Sequence, residues 1–409
     1  MLPRRCMNAI AIVGLVFATI FFIRPAAAAN PNAVPDTYIV SFKDAVADPT
    51  AKAQALAAQH GLTLLRTYSY ALKGFAAVVP AARLEHLRAD PDVANIVQDQ
   101  VVTIAAQTLP TGINRIDADL SPTARINGVD ERVNVDVAVI DTGIDTTHPD
   151  LNVVGGKDCT TGLSYNDDHG HGSHVSGTIA AKDNGIGVVG VAPGARLWAV
   201  KVLTAAGSGT TSMVVCGIDW VAANAGTIEV ANMSLGGSGS DDGNCGKSNN
   251  DPEHKAICNA VSRGVTFAVA AGNDSQDAKK SVPAAYDEVI TVSALADFNG
   301  LPGGGAASTC RSDVDDTFAD FSNFGADVDL IAPGVCIYST SMLGGYATLS
   351  GTSMASPHVA GAAALYKATH PTATPAQVKS ALIAAGNLNW NNSDDHDSTK
   401  EPLLNVSSF

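Results

Sequence analysis

Charge is scarce in this 409-residue chain. Asp, Glu, Lys and Arg make up 16% of it, against about 25% in ordinary globular domains, and a chain this apolar is not held open by self-repulsion. Basic residues are the scarcer sign: 25 Lys and Arg stand against 40 Asp and Glu, a formal net charge of −15. Phosphate backbones and anionic lipids are gripped by neutralising Lys and Arg, so the balance argues against nucleic-acid binding. There is no Cys-x-x-Cys pair and no local Cys/His group at metal-ligand spacing, which removes the basis for a zinc-built fold. After the N-terminus no apolar run reaches the ~20 residues of a membrane-spanning helix. Internal repeats and long low-complexity linkers are lacking as well.

What remains is a hydrophobic share of 46% with 38 Gly, long enough at ~150 residues per domain for two or three domains with a sizeable core. Arg4 and Arg5 precede the apolar run Ala9 to Ile23, and Ala26 to Ala29 supply the small residues that signal peptidase accepts. Residues 1–29 read as a secretory signal, cut near Ala28 or Ala29. A membrane anchor is the competing reading, but the run is short and Arg24 ends it. The product is therefore expected outside the cell, with no membrane attachment once the signal is gone. Cys6 leaves with that segment. Six cysteines remain, Cys159, Cys216, Cys245, Cys258, Cys310 and Cys336, and an even set in an exported chain reads as disulfides. Of the ~15 possible pairings, Cys245 with Cys258 is the preferred local one.

Residues 30–105 read as a small α+β unit. Strand patterns at Tyr38 to Phe42, Leu62 to Tyr68, Phe75 to Val79 and Val93 to Val97 alternate with helical patterns at Ala51 to His60 and Ala82 to Ala89. That order is the split βαβ arrangement of a ferredoxin-like unit. It contains no cysteine, as a disposable folding aid would not. The polar stretch Gln107 to Pro110 marks a boundary, and residues 106–409 form the main domain. There, β-branched runs (Val133 to Ile140, Leu197 to Val202, Ile228 to Met233, Val265 to Ala270, Val289 to Ser293) alternate with helical ones (Ser173 to Ala181, Thr210 to Asn224, Lys255 to Arg263, Met354 to Ala368). Near-continuous apolar strands separated by helices predict a doubly wound α/β fold with a mostly parallel sheet.

Three segments carry chemistry. Val137 to Gly143 is a buried strand that ends in the carboxylate of Asp141, where ligands gather in open α/β sheets. His171 to Thr178 brings an imidazole into a helix start, where the dipole disfavours the protonated ring. Gly351 to Gly361 places Ser353 on a glycine-led turn that opens a helix, with Pro357 in the first turn. Each alone has a plain reading as a turn, cap or core residue. Asp-Thr-Gly also occurs in aspartic proteases, but no second copy exists here. Together, in the order Asp, His, Ser, they are the parts of an oriented nucleophile.

These segments, over their full length, resemble the subtilisin superfamily of secreted serine endopeptidases. The resemblance implies a subtilisin-like domain made as a zymogen, with residues 30–105 as folding aid and inhibitor of the same chain, and polypeptides as substrates. By that likeness Ser353 is the nucleophile, His171 the base, Asp141 the anion that fixes the imidazole, and Asn273 an oxyanion donor beside the Ser353 N–H. His169 fits the His-Gly-Ser/Thr-His-Val pattern worse than His171, and His174 reads as structural. Ser234, Leu235 and Gly236, with Ala271 and Gly272, match substrate-binding walls, against which an extended peptide pairs by its backbone. Ser281 is expected near the pocket floor. Small walls suggest broad specificity with an apolar preference.

The same likeness implies a structural Ca²⁺ site from the side chains of Gln107, Asp150 and Asn184 and the carbonyls of Lys182, Ile186 and Val188, an oxygen set that suits calcium. Cleavage between Ala105 and Thr108 would leave Gln107 near the new terminus, free to reach Asp150. The acidic run Asp394 to Asp397 reads as a solvated loop or a second, weaker ion site. A monomer is the expected state. Two other readings compete: a catalytically silent binding homologue, which the presence of all four catalytic candidates disfavours, and a basic-site convertase, which expects a further domain where only residues 362–409 follow.

Overall fold

The computed structural model describes residues 33–100, 106–397 and 399–409. The expected signal segment, 1–29, and the Ala105 side of the expected processing site lie outside them. Internal contacts divide the chain between Ile104 and Ala105.

The first unit runs β1 (Ala33–Phe42), α1 (Pro49–His60), β2 (Thr63–Tyr68), β3 (Gly74–Val78), α2 (Ala81–Arg88) and β4 (Val93–Gln100). Its antiparallel sheet has the order β2-β3-β1-β4, the ferredoxin-like arrangement. Asp48 caps α1 by accepting from the Ala51 N–H at 2.9 Å, and Pro49 opens the first turn. Gly61, at φ +63°, ends the helix in the left-handed conformation that only glycine adopts cheaply. Val40, Phe42, Leu56, Phe75 and Leu87 close the core.

The second unit begins with a short helix, α3 (Thr111–Arg115), then β5 (Asp136–Asp141), β6 (Val153–Asp158), α4 (His171–Ala180), β7 (Arg196–Lys201) and α5 (Thr211–Ala223). It continues through β8 (Val230–Met233), β9 (Gly237–Ser238), α6 (Pro252–Val261), β10 (Thr266–Ala270), β11 (Ser281–Val282) and β12 (Ile290–Ala296). β13 (Thr317–Phe318), β14 (Leu330–Pro333), β15 (Ile337–Thr340), β16 (Tyr346–Leu349), α7 (Thr352–Thr369) and α8 (Pro375–Ala385) complete it. The main sheet has the order β13-β12-β10-β8-β5-β7-β6, with β14 also on β12. All its pairings are parallel except β12 with β13.

Strand alternation explains why the runs read as continuously apolar. Val137 and Val139 of β5 join the core around α4 and α7, whereas Ala138 and Ile140 join the opposite one around α5 and α6. Both faces are covered, so no position can be polar by default. The winding reverses between β5 and β8, and the crevice at their carboxyl ends is where such sheets bind ligands.

Differences from the sequence reading are local. The expected strand from Val133 shortens to start at Asp136, because Val133 instead donates its N–H to the Pro193 carbonyl at 2.9 Å. Edge strand β6, with Gly155-Gly156 inside it, carries no strand periodicity in the sequence. Gly155 is required there, since a Cβ would come within 2.6 Å of the Trp198 ring. Helix α6 starts earlier than expected because Asp251 caps it and Pro252 supplies its first turn. Three disulfides join Cys159 to Cys216, Cys245 to Cys258 and Cys310 to Cys336. The second is the local bridge preferred from spacing. Among the described residues no helix is long and apolar enough to cross a membrane.

Candidate active site

Asp141 is the last residue of β5 and fully buried. One of its oxygens, Oδ1, accepts from its neighbour's N–H (Thr142, 2.7 Å) and lies 2.8 Å from His171 Nδ1. His171 opens α4. The helix start can approach the strand end only because position 172 is glycine, where a Cβ would collide with the Gly143 carbonyl. Gly170, at φ +103°, turns the chain into the helix.

Asp167, which carries no signal in the sequence, organises this turn. Its Oδ1 accepts from the Thr142 hydroxyl and from the N–H groups of His169 and Gly170, each at 2.9 Å. Its Oδ2 accepts from Ser173 N–H at 2.9 Å and the Ser173 hydroxyl at 2.6 Å. Thr142 in turn accepts from Gly172 N–H at 2.9 Å. The imidazole is thereby fixed against the carboxylate from two directions. Burial works against protonating His171, but the charge and hydrogen bond of Asp141, helped by Asp167, outweigh it and raise its pKa above the ordinary imidazole value of 6.5. The other two histidines differ. His169 is exposed, and His174 is fully buried with Nε2 at 3.0 Å from the Ile337 carbonyl, its pKa pushed down to about 4 by that burial.

Ser353 lies in the first turn of α7, whose leading N–H groups have no intrahelical acceptor. Its hydroxyl donates to the Ser234 carbonyl at 3.3 Å. His171 and Ser353 line one cavity of about 580 Å³, with Thr142, Ser234 and Leu235. A second, of about 310 Å³, is lined by Ser353, Ala271, Gly272, Asn273 and Ser281. The strip Leu235 to Ser238 borders both. Gly237 and Ser238 pair antiparallel with Val282 and Ser281.

Asn273 is oriented by its own carbonyl oxygen, which accepts from the Thr352 N–H at 2.8 Å and hydroxyl at 3.0 Å. That leaves its NH₂ as the free end. Gly272 must be glycine, since a Cβ would strike Asn323 Nδ2. Asn323, unread in the sequence, donates to the Ala271 carbonyl at 2.9 Å and to Ser281 Oγ at 3.2 Å, tying wall to floor.

Of the six calcium candidates, the side chains of Gln107, Asp150 and Asn184 all contact the 182–188 loop that carries the other three. Gln107 Oε1 accepts from Gly185 N–H at 2.7 Å, and Thr108 N–H donates to the Gly187 carbonyl at 2.7 Å. Asp150 is wholly buried; its Oδ2 accepts from Val188 N–H at 3.0 Å while Oδ1 has no partner. Burial raises its pKa. Asn184 Oδ1 accepts from Ile186 N–H at 3.1 Å, and Lys182 turns its charged end away to the Pro149 carbonyl at 2.8 Å. An orphaned buried carboxylate oxygen amid amide and carbonyl oxygens fits a hard cation. Asp183, not singled out in the sequence, braces the loop by accepting from Gln107 Nε2 at 3.0 Å and from the N–H groups of Asn127 and Gly128.

Residues 133–400 match the family described as Subtilase family, and residues 37–105 match Peptidase inhibitor I9. Subtilisin E of Bacillus subtilis (strain 168) is 38% identical over 374 residues, 90% of each chain. Subtilisin DY of Bacillus licheniformis is 43% identical over 281 residues, 68% of this chain and 91% of its own. Among solved structures, a cold adapted subtilisin-like serine proteinase aligns with a TM-score of 0.58 at 36% identity, covering 73% of this chain and 98% of its own.

Proposed function

Because this chain belongs to the subtilase family and is a serine endopeptidase, we propose that it is a secreted, self-processing zymogen that cleaves peptide bonds through Asp141, His171 and Ser353. The observation that carries the triad is the 2.8 Å contact of buried Asp141 with His171 Nδ1, at one cavity with Ser353. With Nδ1–H held by the carboxylate, Nε2 carries the lone pair that removes the Ser353 proton. The Ser353 oxygen then attacks the scissile carbonyl carbon, and its oxygen becomes an oxyanion. The NH₂ of Asn273 and the N–H of Ser353 stabilise that charge, and in subtilisin itself one such donor is worth about 3–4 kcal/mol of barrier. As the intermediate collapses, the C–N bond breaks and His171 returns the proton to the departing amine. Water, deprotonated by the same imidazole, hydrolyses the acyl-enzyme.

The substrate backbone pairs with the strip Ser234, Leu235 and Gly236, and its side chain enters the pocket walled by Ala271 and Gly272 over Ser281. Small and apolar residues make most of that pocket's lining, with Asp274 its single charged residue, which supports a broad specificity with apolar preference. Residues 30–105 serve as folding aid and inhibitor until removed, supported by the match to an inhibitor family. Gln107, Asp150 and Asn184, with the carbonyls of Lys182, Ile186 and Val188, would hold a structural Ca²⁺, supported by the unpartnered Asp150 oxygen. The ion would cross-link the segment at Gln107 to the 182–188 loop by neutralising the buried Asp150 carboxylate. It takes no part in the chemistry.

The test compares the full precursor with its Ser353→Ala variant. The wild type should shed about its first hundred residues, digest casein and be labelled irreversibly by a fluorophosphonate. The variant should do none of these, and a pure variant that still matures would refute self-processing.

A further inference from the structure

A second constellation of ligand-type side chains lies outside the catalytic site. His254, on α6, is wholly buried, and its Nδ1 has no hydrogen-bond partner. That nitrogen faces Asp241 Oδ1 and Asp242 Oδ1, each at 3.5 Å. The separations are too long for hydrogen bonds. They match the edge of a tetrahedron around zinc, which is about 3.4 Å for metal–ligand bonds of roughly 2.0–2.2 Å. The opposite nitrogen, Nε2, donates to Glu288 Oε2 at 2.9 Å. A carboxylate behind one ring nitrogen with the other left as a lone pair is how a metal-binding histidine is oriented. The ring is further fixed by stacking on Tyr286, centroids 4.0 Å apart at 4°, whose hydroxyl donates to Asp251 at 2.6 Å.

The carboxylates are prearranged too. Asp241 Oδ1 accepts from Gly243 N–H at 2.6 Å. Asp242 accepts from four backbone N–H groups, those of Asn244, Gly246, Ser248 and Asn249. Their side chains are mostly buried, with 18% of Asp241 and 6% of Asp242 exposed, and a water would complete the set as fourth ligand.

We propose that Asp241, Asp242 and His254 bind one divalent transition ion of the zinc type, with Glu288 orienting the histidine. An imidazole nitrogen among the donors selects this class over calcium. The ion would pin the 241–251 loop to α6, just beyond the strand Gly237–Ser238 that borders the cleft.

The test uses the full chain carrying Ser353→Ala, stripped with chelator and titrated with ZnCl₂ by calorimetry in excess Ca²⁺. One Zn²⁺ per chain is expected, and Co²⁺ in its place should give the intense visible bands of tetrahedral coordination. His254→Gln should abolish binding and Glu288→Gln should weaken it about 10–100-fold. Should His254→Gln fail to fold, Asp241→Asn, at a half-buried position, serves and should weaken binding at least tenfold. The proposal is overturned if no stoichiometric zinc binds or if the variants bind as the parent does. Binding that appears only after reduction of Cys245–Cys258 would overturn it as well, by moving the ion to thiolates. None of these readouts depends on peptidase activity.

Discussion

Ser234→Ala should both destabilise the protein and slow it, for a reason visible in the register of α7. The Ser353 carbonyl would normally accept from the N–H four residues on, but position 357 is proline and has none. The Ser234 hydroxyl fills the gap, donating to Ser353 O at 2.8 Å. It accepts in turn from Asn232 Nδ2 at 3.0 Å, and Asn232 Oδ1 accepts from Ser356 at 2.8 Å. Asn232 and Ser356 are wholly buried and Ser234 nearly so. Removing the hydroxyl strands one carbonyl and one amide, each costing about 1–3 kcal/mol where water cannot enter. Urea unfolding in a Ser353→Ala background, which prevents self-digestion, should show a loss of about 2–4 kcal/mol, less if a water slips in. Pro357→Ala restores a backbone donor, so the same substitution should cost at least about 1 kcal/mol less in that background. In the active enzyme kcat should fall more than KM changes, because the carbonyl anchors the residue that carries the nucleophile. Additivity of the two substitutions within about 0.5 kcal/mol, or a Ser234→Ala cost below that, would refute the reasoning.

Three further outcomes follow from the site and its surroundings. The pH profile of kcat/KM should rise through an apparent pKa above 6.5, since His171 must be neutral to act and Asp141 favours its protonated form. Asp141→Asn should lower kcat by about 10⁴, measured on a peptide anilide. Asp150→Asn, or chelation of the parent, should lower the thermal midpoint in a Ca²⁺-dependent way, and identical melting with and without chelator would remove the calcium assignment. Burial, reinforced by the charges of Asp395 and Asp397, raises Glu401 from 4.5 to about 8, and both its oxygens are unpartnered. The folded form then keeps a proton that the unfolded form releases, so stability falls as pH rises from about 4.5 to 8, by no more than about 5 kcal/mol. Glu401→Gln should flatten that slope in urea titrations across the same window.

Much of the site was legible because its chemistry is written in contiguous segments. Asp141 ends an apolar run, His171 opens a helix, and Ser353 follows a glycine turn; each is a local signal. Asn273 closes the loop Ala271 to Asn273 that follows β10, a local signal of the same kind. Asp167 was not legible. Its importance comes from five donors on Thr142, His169, Gly170 and Ser173, and a lone Asp in a polar loop carries no mark of such partners. Asn232, Asn323 and Asp183 escaped notice likewise. Edge strand β6 was missed because its glycines answer to the Trp198 ring and to the backbone of the neighbouring strand, not to any periodicity of their own.

The amino-acid order alone settled which kinds of element form and in what succession, because burial on two faces, helix caps and turn glycines act over a few residues. It also settled which reactive groups the chain possesses. Only the folded chain decided which of them meet: the disulfide partners of Cys159 and Cys310, the hydroxyl of Ser234 under a carbonyl orphaned by Pro357, and the facing of His254 toward Asp241 and Asp242. Those encounters depend on strand order and on loops crossing between distant segments. Such distances are set by the packing of the whole sheet and not by the spacing of residues along the chain.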